Sequence, residues 1–145
     1  MKVYLDMCAL KRPFDDQTQG RILIETTAVT RILDATAAGV LTLCNSAALV
    51  AENRRNPNRQ RRERVSALLA SIGSPVPATP GIFTRAEDLA RYGLRDMDAL
   101  HLAFAEYLKA DYFVTVDDEV LTRSAKTKLG VKVTDVIDLL EEVHL

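Results

Sequence analysis

The sequence predicts an α/β fold in which a mostly parallel sheet is covered by helices on both faces. Short, continuously apolar runs alternate along the chain with longer stretches of helical periodicity, as in proteins built from strand–helix–strand units. The chain has 145 residues, of which 48% are hydrophobic, and this is enough apolar material for one sizeable core. We therefore expect one domain that covers residues 1–145.

Four apolar runs have the length and composition of buried strands. They are VYLD at residues 3–6, VLTLC at 40–44, DYFVTV at 111–116 and VKVT at 131–134. In an open parallel sheet, functional groups gather beyond the carboxyl ends of the strands. The residues that end or follow these runs are therefore the first candidates for a functional site.

The segments between the strands carry helical patterns. The first helix is predicted from about Arg21 to Gly39, a residue suited to a helix C-terminus. Ser46 is the predicted N-cap of the helix SAALVAE, which Asn56 and Pro57 break. Further helices are predicted at residues 58–73, 83–93, 97–110, 119–130 and 134–143, and connections at 11–20 and 74–81. The predicted apolar side of the helix at 83–93 consists of Phe83, Ala86, Leu89 and Ala90.

Composition and charge exclude several classes of protein. The net charge is −1, so nucleic-acid binding would have to come from a local basic patch. No apolar run is long enough to cross a bilayer, and MKVYLD lacks the apolar centre of a signal peptide, so we expect a cytoplasmic protein without membrane association. Cys8 and Cys44 are expected as reduced thiols, with a disulfide between them as the alternative. Together with His101 and His144 they form no recognisable zinc motif.

Four acidic residues lie next to buried elements, at the end that should face the carboxyl edge of the sheet. Asp6 ends the first strand, and Asp117 ends the third. Glu52 lies on the helix after the second strand, and Asp98 lies in the first turn of the apolar helix MDALHLAF. Like charges in a partly buried pocket repel one another, so such a cluster is costly without a cation. All-oxygen ligands select Mg²⁺ or Mn²⁺, and such ions serve in-line phosphodiester hydrolysis.

The segments YLDMCAL, SAALVAEN, MDALHLAFA and YFVTVDDEVL resemble the four acidic motifs of the PIN-domain family, in the same order and at similar intervals. Bacterial proteins of this size and kind are commonly VapC-type toxins. The resemblance implies a parallel sheet of about five strands between helices. It also implies an endoribonuclease that depends on Mg²⁺ or Mn²⁺, cleaves RNA, forms a homodimer and is inhibited by a small antitoxin protein.

The resemblance also implies the residues of the site. The metal-binding and catalytic acids would be Asp6, Glu52, Asp98 and Asp117. Thr115 matches the Ser or Thr two positions before the last acid, where it would orient a carboxylate. Asp118 is an alternative to Asp117, and Asp96 is an alternative to Asp98. Side-chain alternation favours Asp117, because it points to the same side of the strand as Thr115.

The first motif departs from the family pattern. Family members usually follow the first Asp with a small polar residue and an Asn, where this chain has Met7 and Cys8. Neither side chain is a good hydrogen-bond partner for a bound water or a phosphate. The alternative function is therefore a PIN scaffold that binds nucleic acid or protein with weak or no nuclease activity. DNA as the substrate also stays open, whereas a phospho-acceptor receiver domain is discounted because Met7 and Cys8 stand where its acidic pair should begin.

Arginines near the acids are candidate contacts for phosphate. Arg54 and Arg55 end the helix that carries the second acid, and Arg12 follows the first acid. A solvated helix face explains the basic run ENRRNPNRQRRER equally well, and Glu52 could pair with a neighbouring arginine instead of a metal. His101, one turn after the third acid, is either a general base or a buried, hydrogen-bonded histidine, of which we favour the second.

Overall fold

The computed structural model describes residues 1–145. Its strands are β1 (Lys2–Leu5), β2 (Thr42–Leu43), β3 (Tyr112–Thr115) and β4 (Lys132–Asp135). Its helices are α1 (Met7–Lys11), α2 (Gly20–Ala37), α3 (Ala47–Arg54), α4 (Arg59–Ile72), α5 (Pro80–Ala90), α6 (Asp96–Tyr107), α7 (Asp118–Ser124) and α8 (Val136–Glu142), with a 3₁₀ turn at Arg12–Phe14. The sheet is parallel throughout and has the order β2–β1–β3–β4. The predicted α/β fold class is confirmed.

The two central strands, β1 and β3, determine where the first and last predicted acids lie. Leu5 of β1 is in register with Val114 of β3, so the next residues, Asp6 and Thr115, are neighbours at the carboxyl edge. The Asp6 backbone N–H continues this ladder and donates to the Val114 carbonyl over 2.8 Å. The backbone of Asp6 is therefore fixed by a hydrogen bond that continues the β1–β3 ladder at its carboxyl end.

Helices cover both faces of the sheet, as predicted. Phe113 and Val114 point to opposite faces because side chains alternate along a strand, and both are fully buried. Helix α6 packs against β3 and also contacts α3 and α5, while α8 packs against β3 and also contacts α2. No helix is long and apolar enough to span a membrane. Cys8 and Cys44 are both free thiols, as predicted.

The sheet has four strands, so the expected number of about five is too high. One isolated parallel bridge joins Ser46 to Val76 where a fifth strand would lie. Val76 donates to the Asn45 carbonyl over 3.1 Å, and its own carbonyl accepts from the Ala47 N–H over 2.9 Å. The neighbours of Val76 are Pro75 and Pro77, which have no N–H, so the ladder cannot extend.

The predicted ends of α2 and α3 are correct, whereas the predicted buried side of α5 is partly wrong. The Ser46 hydroxyl accepts from the Leu49 N–H over 3.1 Å, which confirms the predicted N-cap of α3. Gly39 has a φ of +77° just after α2, a conformation that favours glycine. Phe83 was predicted to lie on the apolar, buried side of its helix, and this is wrong, because Phe83 is 52% exposed. Since α5 begins earlier, at Pro80 after the N-cap Thr79, its buried side is formed by Ile82, Ala86 and Leu89.

Candidate metal centre and active site

Asp6 is the most buried of the four predicted acids, with 4% of its surface exposed. Helix α1 begins directly after it, and the Met7 N–H donates to Asp6 Oδ1 over 2.8 Å as a helix cap. The Thr115 hydroxyl donates to Asp6 Oδ2 over 2.9 Å. Donors on two different elements therefore hold the carboxylate at the carboxyl edge of the sheet in one orientation.

Thr115 joins the first acid to the fourth. Its buried hydroxyl, which donates to Asp6, also accepts from the Asp117 N–H over 3.1 Å. Asp117 is the N-cap of α7, where its Oδ1 accepts from the Glu119 N–H over 2.9 Å. The neighbouring Asp118 is exposed and forms a bidentate pair with Arg21, at 2.8 and 2.9 Å. Asp117 is half-buried and linked to Asp6 through Thr115, whereas Asp118 is exposed and paired with Arg21.

Glu52 comes from α3 and approaches Asp6 together with His101 of α6. One oxygen of Asp6, one oxygen of Glu52 and one ring nitrogen of His101 lie within 4.8 Å of one another. Glu52 Oε1 is 2.8 Å from His101 Nε2, and the glutamate side chain is 29% exposed. The pairing of Glu52 with a neighbouring arginine does not occur. His101 is fully buried and hydrogen-bonded, as favoured from the sequence.

Asp98 lies in the first turn of α6, where its side chain is half-buried. Burial, followed by the negative charges of Asp6 and Asp117, raises its pKa from 3.8 to about 6. The alternative residue, Asp96, is exposed to solvent. Asp98 is therefore the member of the pair that shares the electrostatic environment of the site.

This donor set fits a hard divalent cation. After burial, the negative charges of Asp6, Asp117 and Glu52 also raise the pKa of Asp98, so the cluster has excess negative charge. A bound divalent cation would remove that repulsion, and oxygen ligands are those that Mg²⁺ and Mn²⁺ prefer. Glu52 would complete the set, because one of its oxygens is near Asp6.

The predicted phosphate contacts differ in their surroundings. The Arg12 guanidinium forms ion pairs with Glu25 over 3.0 Å and with Asp15 over 3.1 Å, so both of these acids compete with a phosphate for it. Arg54 and Arg55 are exposed at the end of α3, with no ion pair to any acid of the chain. Of the predicted arginines, these two are free to contact phosphate.

Cys8 takes part in the site as a half-buried neighbour of Asp6. Its Sγ lies 3.3 Å from Asp6 Oδ2 and 3.2 Å from Thr115 Oγ1. Burial, followed by the negative charge of Asp6, raises the pKa of the thiol well above its ordinary value, so the nucleophilic thiolate is disfavoured. Met7 is almost fully buried in the core. The departure in the first motif therefore places a weak hydrogen-bonding group beside the first acid.

The sequence did not reveal what surrounds His101. Its Nδ1 lies 2.6 Å from the Tyr4 hydroxyl, which in turn lies 2.7 Å from the Ser46 hydroxyl. Tyr4 had the pattern of a core residue and Ser46 that of a helix cap. No spacing rule connects a strand, a cap and a helix that are this far apart in the sequence.

Comparison with known proteins identifies the family. A family model described as the PIN domain matches residues 3–126, most of the chain. The chain belongs to the PIN-domain family. The structure of VapBC2 from Rickettsia felis bound to a DNA fragment from their promoter has a TM-score of 0.61 to this PIN domain, with 12% identity, covering 93% of this chain and 98% of the other. The structure of FitAB bound to an IR36 DNA fragment has a TM-score of 0.61 and 17% identity, covering 92% of this chain and 94% of the other.

These comparisons confirm the resemblance read from the four acidic motifs. At 12% and 17% identity, the similarity to the two solved structures concerns the fold of the PIN domain. A search of curated proteins gave no sequence match. The PIN assignment covers β1 to α7, and therefore includes Asp6, Glu52, Asp98 and Asp117.

Proposed function

We propose that this PIN domain is a metal-dependent endoribonuclease, the toxin of a toxin–antitoxin pair. The observation that carries the proposal is the approach of Asp6 and Glu52 at the carboxyl edge of the sheet, with Asp98 in the same electrostatic environment. An oxygen-rich, partly buried acidic cluster serves phosphodiester hydrolysis when it holds divalent cations.

In this proposal, Asp6, Glu52, Asp98 and Asp117 hold Mg²⁺ or Mn²⁺. Such an ion, when bound, supplies activation of a water and neutralisation of the charge that develops on the phosphate oxygens. Thr115 orients Asp6 through its hydroxyl and receives the Asp117 N–H, so it acts as a positioning residue for both acids. Arg54 and Arg55 bind phosphates of the RNA next to the cleaved bond.

The proposed partners follow from the structural relatives. The similar solved structures are VapBC2 and FitAB, each bound to DNA, and we propose that this chain likewise pairs with a small antitoxin protein. We also propose a homodimer. Leu23 and Ile24 on α2 and Ile137 on α8 are exposed apolar side chains that a second copy could cover. The proposed location is the cytoplasm.

The test is cleavage of a mixed RNA substrate by purified protein without antitoxin, in Mg²⁺, in Mn²⁺ and in EDTA, with single-stranded DNA in parallel. We expect RNA cleavage that requires the metal and leaves 5′-phosphate and 3′-hydroxyl ends, because water rather than the 2′-hydroxyl attacks. A 2′,3′-cyclic phosphate product would contradict the mechanism. Preferential cleavage of DNA would contradict the substrate.

A second candidate function, a PIN scaffold that binds without cleaving, is favoured by one observation. Cys8 lies beside Asp6 and Thr115 where the family usually has an Asn, so the site has a weaker hydrogen-bonding group for substrate. Absence of cleavage in every metal, from protein shown to be folded, would support this binding module.

Replacing Arg54 or Arg55 by Ala should raise the KM for RNA about five-fold each, since a solvent-exposed ion pair contributes about 1 kcal/mol. kcat should change little, because neither residue touches the acids. The slope of log affinity against log salt should fall by about 0.7 for each lost phosphate contact on a single strand. Arg31→Ala, which removes an exposed charge from α2, is the matched control. If Arg31→Ala raised the KM as much as the other two substitutions do, RNA binding would depend on the overall charge and not on Arg54 and Arg55.

A further inference from the structure

A continuous line of buried polar groups runs from the protein interior to Glu52. The Leu49 N–H donates to Ser46 Oγ over 3.1 Å, and Ser46 Oγ lies 2.7 Å from the Tyr4 hydroxyl. That hydroxyl lies 2.6 Å from His101 Nδ1, and His101 Nε2 lies 2.8 Å from Glu52 Oε1. Tyr4, Ser46 and His101 are all fully buried, so Glu52 is the only one of the four side chains that reaches solvent.

The hydrogen bonds of this line can be arranged in one direction. An ionised Glu52 only accepts, so His101 must donate to it from Nε2–H. In the neutral imidazole, Nδ1 is then an acceptor, and the Tyr4 hydroxyl donates to it. A tyrosine hydroxyl is protonated at neutral pH, so it has a proton to donate. The Ser46 hydroxyl completes the line by donating to Tyr4 while it accepts from the Leu49 N–H.

The ring of Tyr4 is itself held in place by packing. It stacks on Phe113 with ring centroids 5.4 Å apart and an interplanar angle of 16°. It also meets the His101 ring edge-on, with centroids 5.7 Å apart. Three polar side chains in the core are costly unless each is fully hydrogen-bonded, and here each has a partner on both sides. An apolar core would fill this space without directing a donor at Glu52.

We propose that His101 is a positioning residue for Glu52, with its ring orientation held by Tyr4 and Ser46. This inference rests on the proposed metal-dependent function of the acidic site. Nε2–H occupies Glu52 Oε1 and leaves Oε2 for the cation. In this arrangement His101 does not bind the metal itself. Its ring nitrogen lies within 4.8 Å of oxygens of Asp6 and Glu52. However, Nε2 carries the hydrogen that it donates to Glu52, so it has no lone pair for a cation.

The first test reads the tautomer directly in the metal-free protein. The chain has two histidines, and His144 is exposed near the C-terminus, so long-range ¹H–¹⁵N correlation spectra resolve His101 against an internal reference. We expect a single Nε2–H tautomer for His101 that persists when Mg²⁺ is added. The Tyr4→Phe variant, which keeps the ring and removes the hydroxyl, should keep this tautomer through Glu52 but shift the Nδ1 resonance, because Nδ1 loses its hydrogen-bond donor. An Nδ1–H tautomer in the wild type, or loss of the Nε2 proton on adding Mg²⁺, would overturn the proposal.

The second test measures Mn²⁺ binding by calorimetry without RNA. Loss of a partner that orients a ligand costs about 10- to 100-fold in metal affinity, so Tyr4→Phe and His101→Leu should weaken Mn²⁺ binding by at least about ten-fold. His101→Gln, which keeps an amide donor directed at Glu52, should bind more tightly than His101→Leu. Tyr112→Phe on the neighbouring strand β3 is the matched control and should bind as the wild type does.

The outcomes separate this inference from the proposed function. If wild-type protein binds Mn²⁺ but cleaves no RNA, while the variants lose affinity, the positioning role stands and the nuclease proposal fails. If wild-type protein cleaves RNA and the folded variants bind Mn²⁺ as tightly as it does, the positioning role is wrong. Cleavage by the variants should recover at high Mn²⁺ concentration, which a merely structural defect would not allow.

Discussion

Asp6→Asn should lower the rate of RNA cleavage by more than about 100-fold while the protein stays folded. Loss of a group that merely orients a ligand already costs about 10- to 100-fold, and Asp6 is the most central of the proposed ligands. The Asn side chain keeps an acceptor for the Met7 N–H, which caps α1, but it lacks the charge that attracts a divalent cation. Single-turnover cleavage in saturating Mn²⁺, with circular dichroism melting curves, measures both effects.

The control for this substitution is Asp16→Asn, which removes an exposed acid of the loop before α2. Asp16 accepts hydrogen bonds from Thr18 and has no contact with the site, so its variant should cleave RNA as the wild type does. Full activity of Asp6→Asn would move the active site away from the carboxyl edge of the sheet. An unfolded Asp6→Asn protein would be replaced by Asp117→Asn, which leaves the buried end of β1 unchanged.

Asp98→Asn should have opposite effects on stability and activity: the metal-free protein becomes more stable and cleavage is lost. The pKa of Asp98 is raised from 3.8 to about 6 in the folded protein, chiefly by burial. A carboxyl with a raised pKa binds its proton more tightly in the folded state, so stability falls as the pH rises from about 4 to about 6. At pH 7 the ionised group carries the full penalty, which the neutral Asn removes.

The gain in the free energy of unfolding of Asp98→Asn follows from the pKa shift of Asp98, reduced because solvent screens a half-exposed charge. Asp98 is only half-buried, so we expect about 1 kcal/mol rather than the full shift, and this raises the Tm by about 2–4 °C. Thermal melts in EDTA at pH 4 and pH 7 test this expectation: the gain should be present at pH 7 and absent at pH 4. Asp96→Asn, at the exposed position in the same first turn, has no burial penalty to remove and should not raise the Tm. A fall in Tm for Asp98→Asn would mean that its ionised carboxylate stabilises the fold.

The fold was predictable where local chemistry decides it. The apolar runs identified β1 and β3, and the cap at Ser46 was visible as a serine before a helical pattern. Helix α1 was missed, because five residues are too few to show a helical period. The expected fifth strand does not form. Val76 reaches the sheet, but the prolines on either side of it have no N–H groups to continue a ladder.

The site was predictable to the extent that strand ends share one edge of a parallel sheet. Side-chain alternation favoured Asp117 over Asp118, and the structure pairs Asp118 with Arg21. The surroundings of Arg12 were not predictable, because its partner Glu25 is brought to it by the packing of α2. The Tyr4–His101 contact joins residues 97 positions apart, and no pattern in either segment indicates it.

The most direct test of the account is anomalous diffraction from crystals of the wild-type protein grown with Mn²⁺. We expect an anomalous peak among the carboxylates of Asp6, Glu52, Asp98 and Asp117. Glu52 Oε1 should still be hydrogen-bonded to His101 Nε2, and the peak should be absent from Asp6→Asn crystals. Mn²⁺ bound only elsewhere on the chain, or no peak at a concentration that supports RNA cleavage, would contradict it.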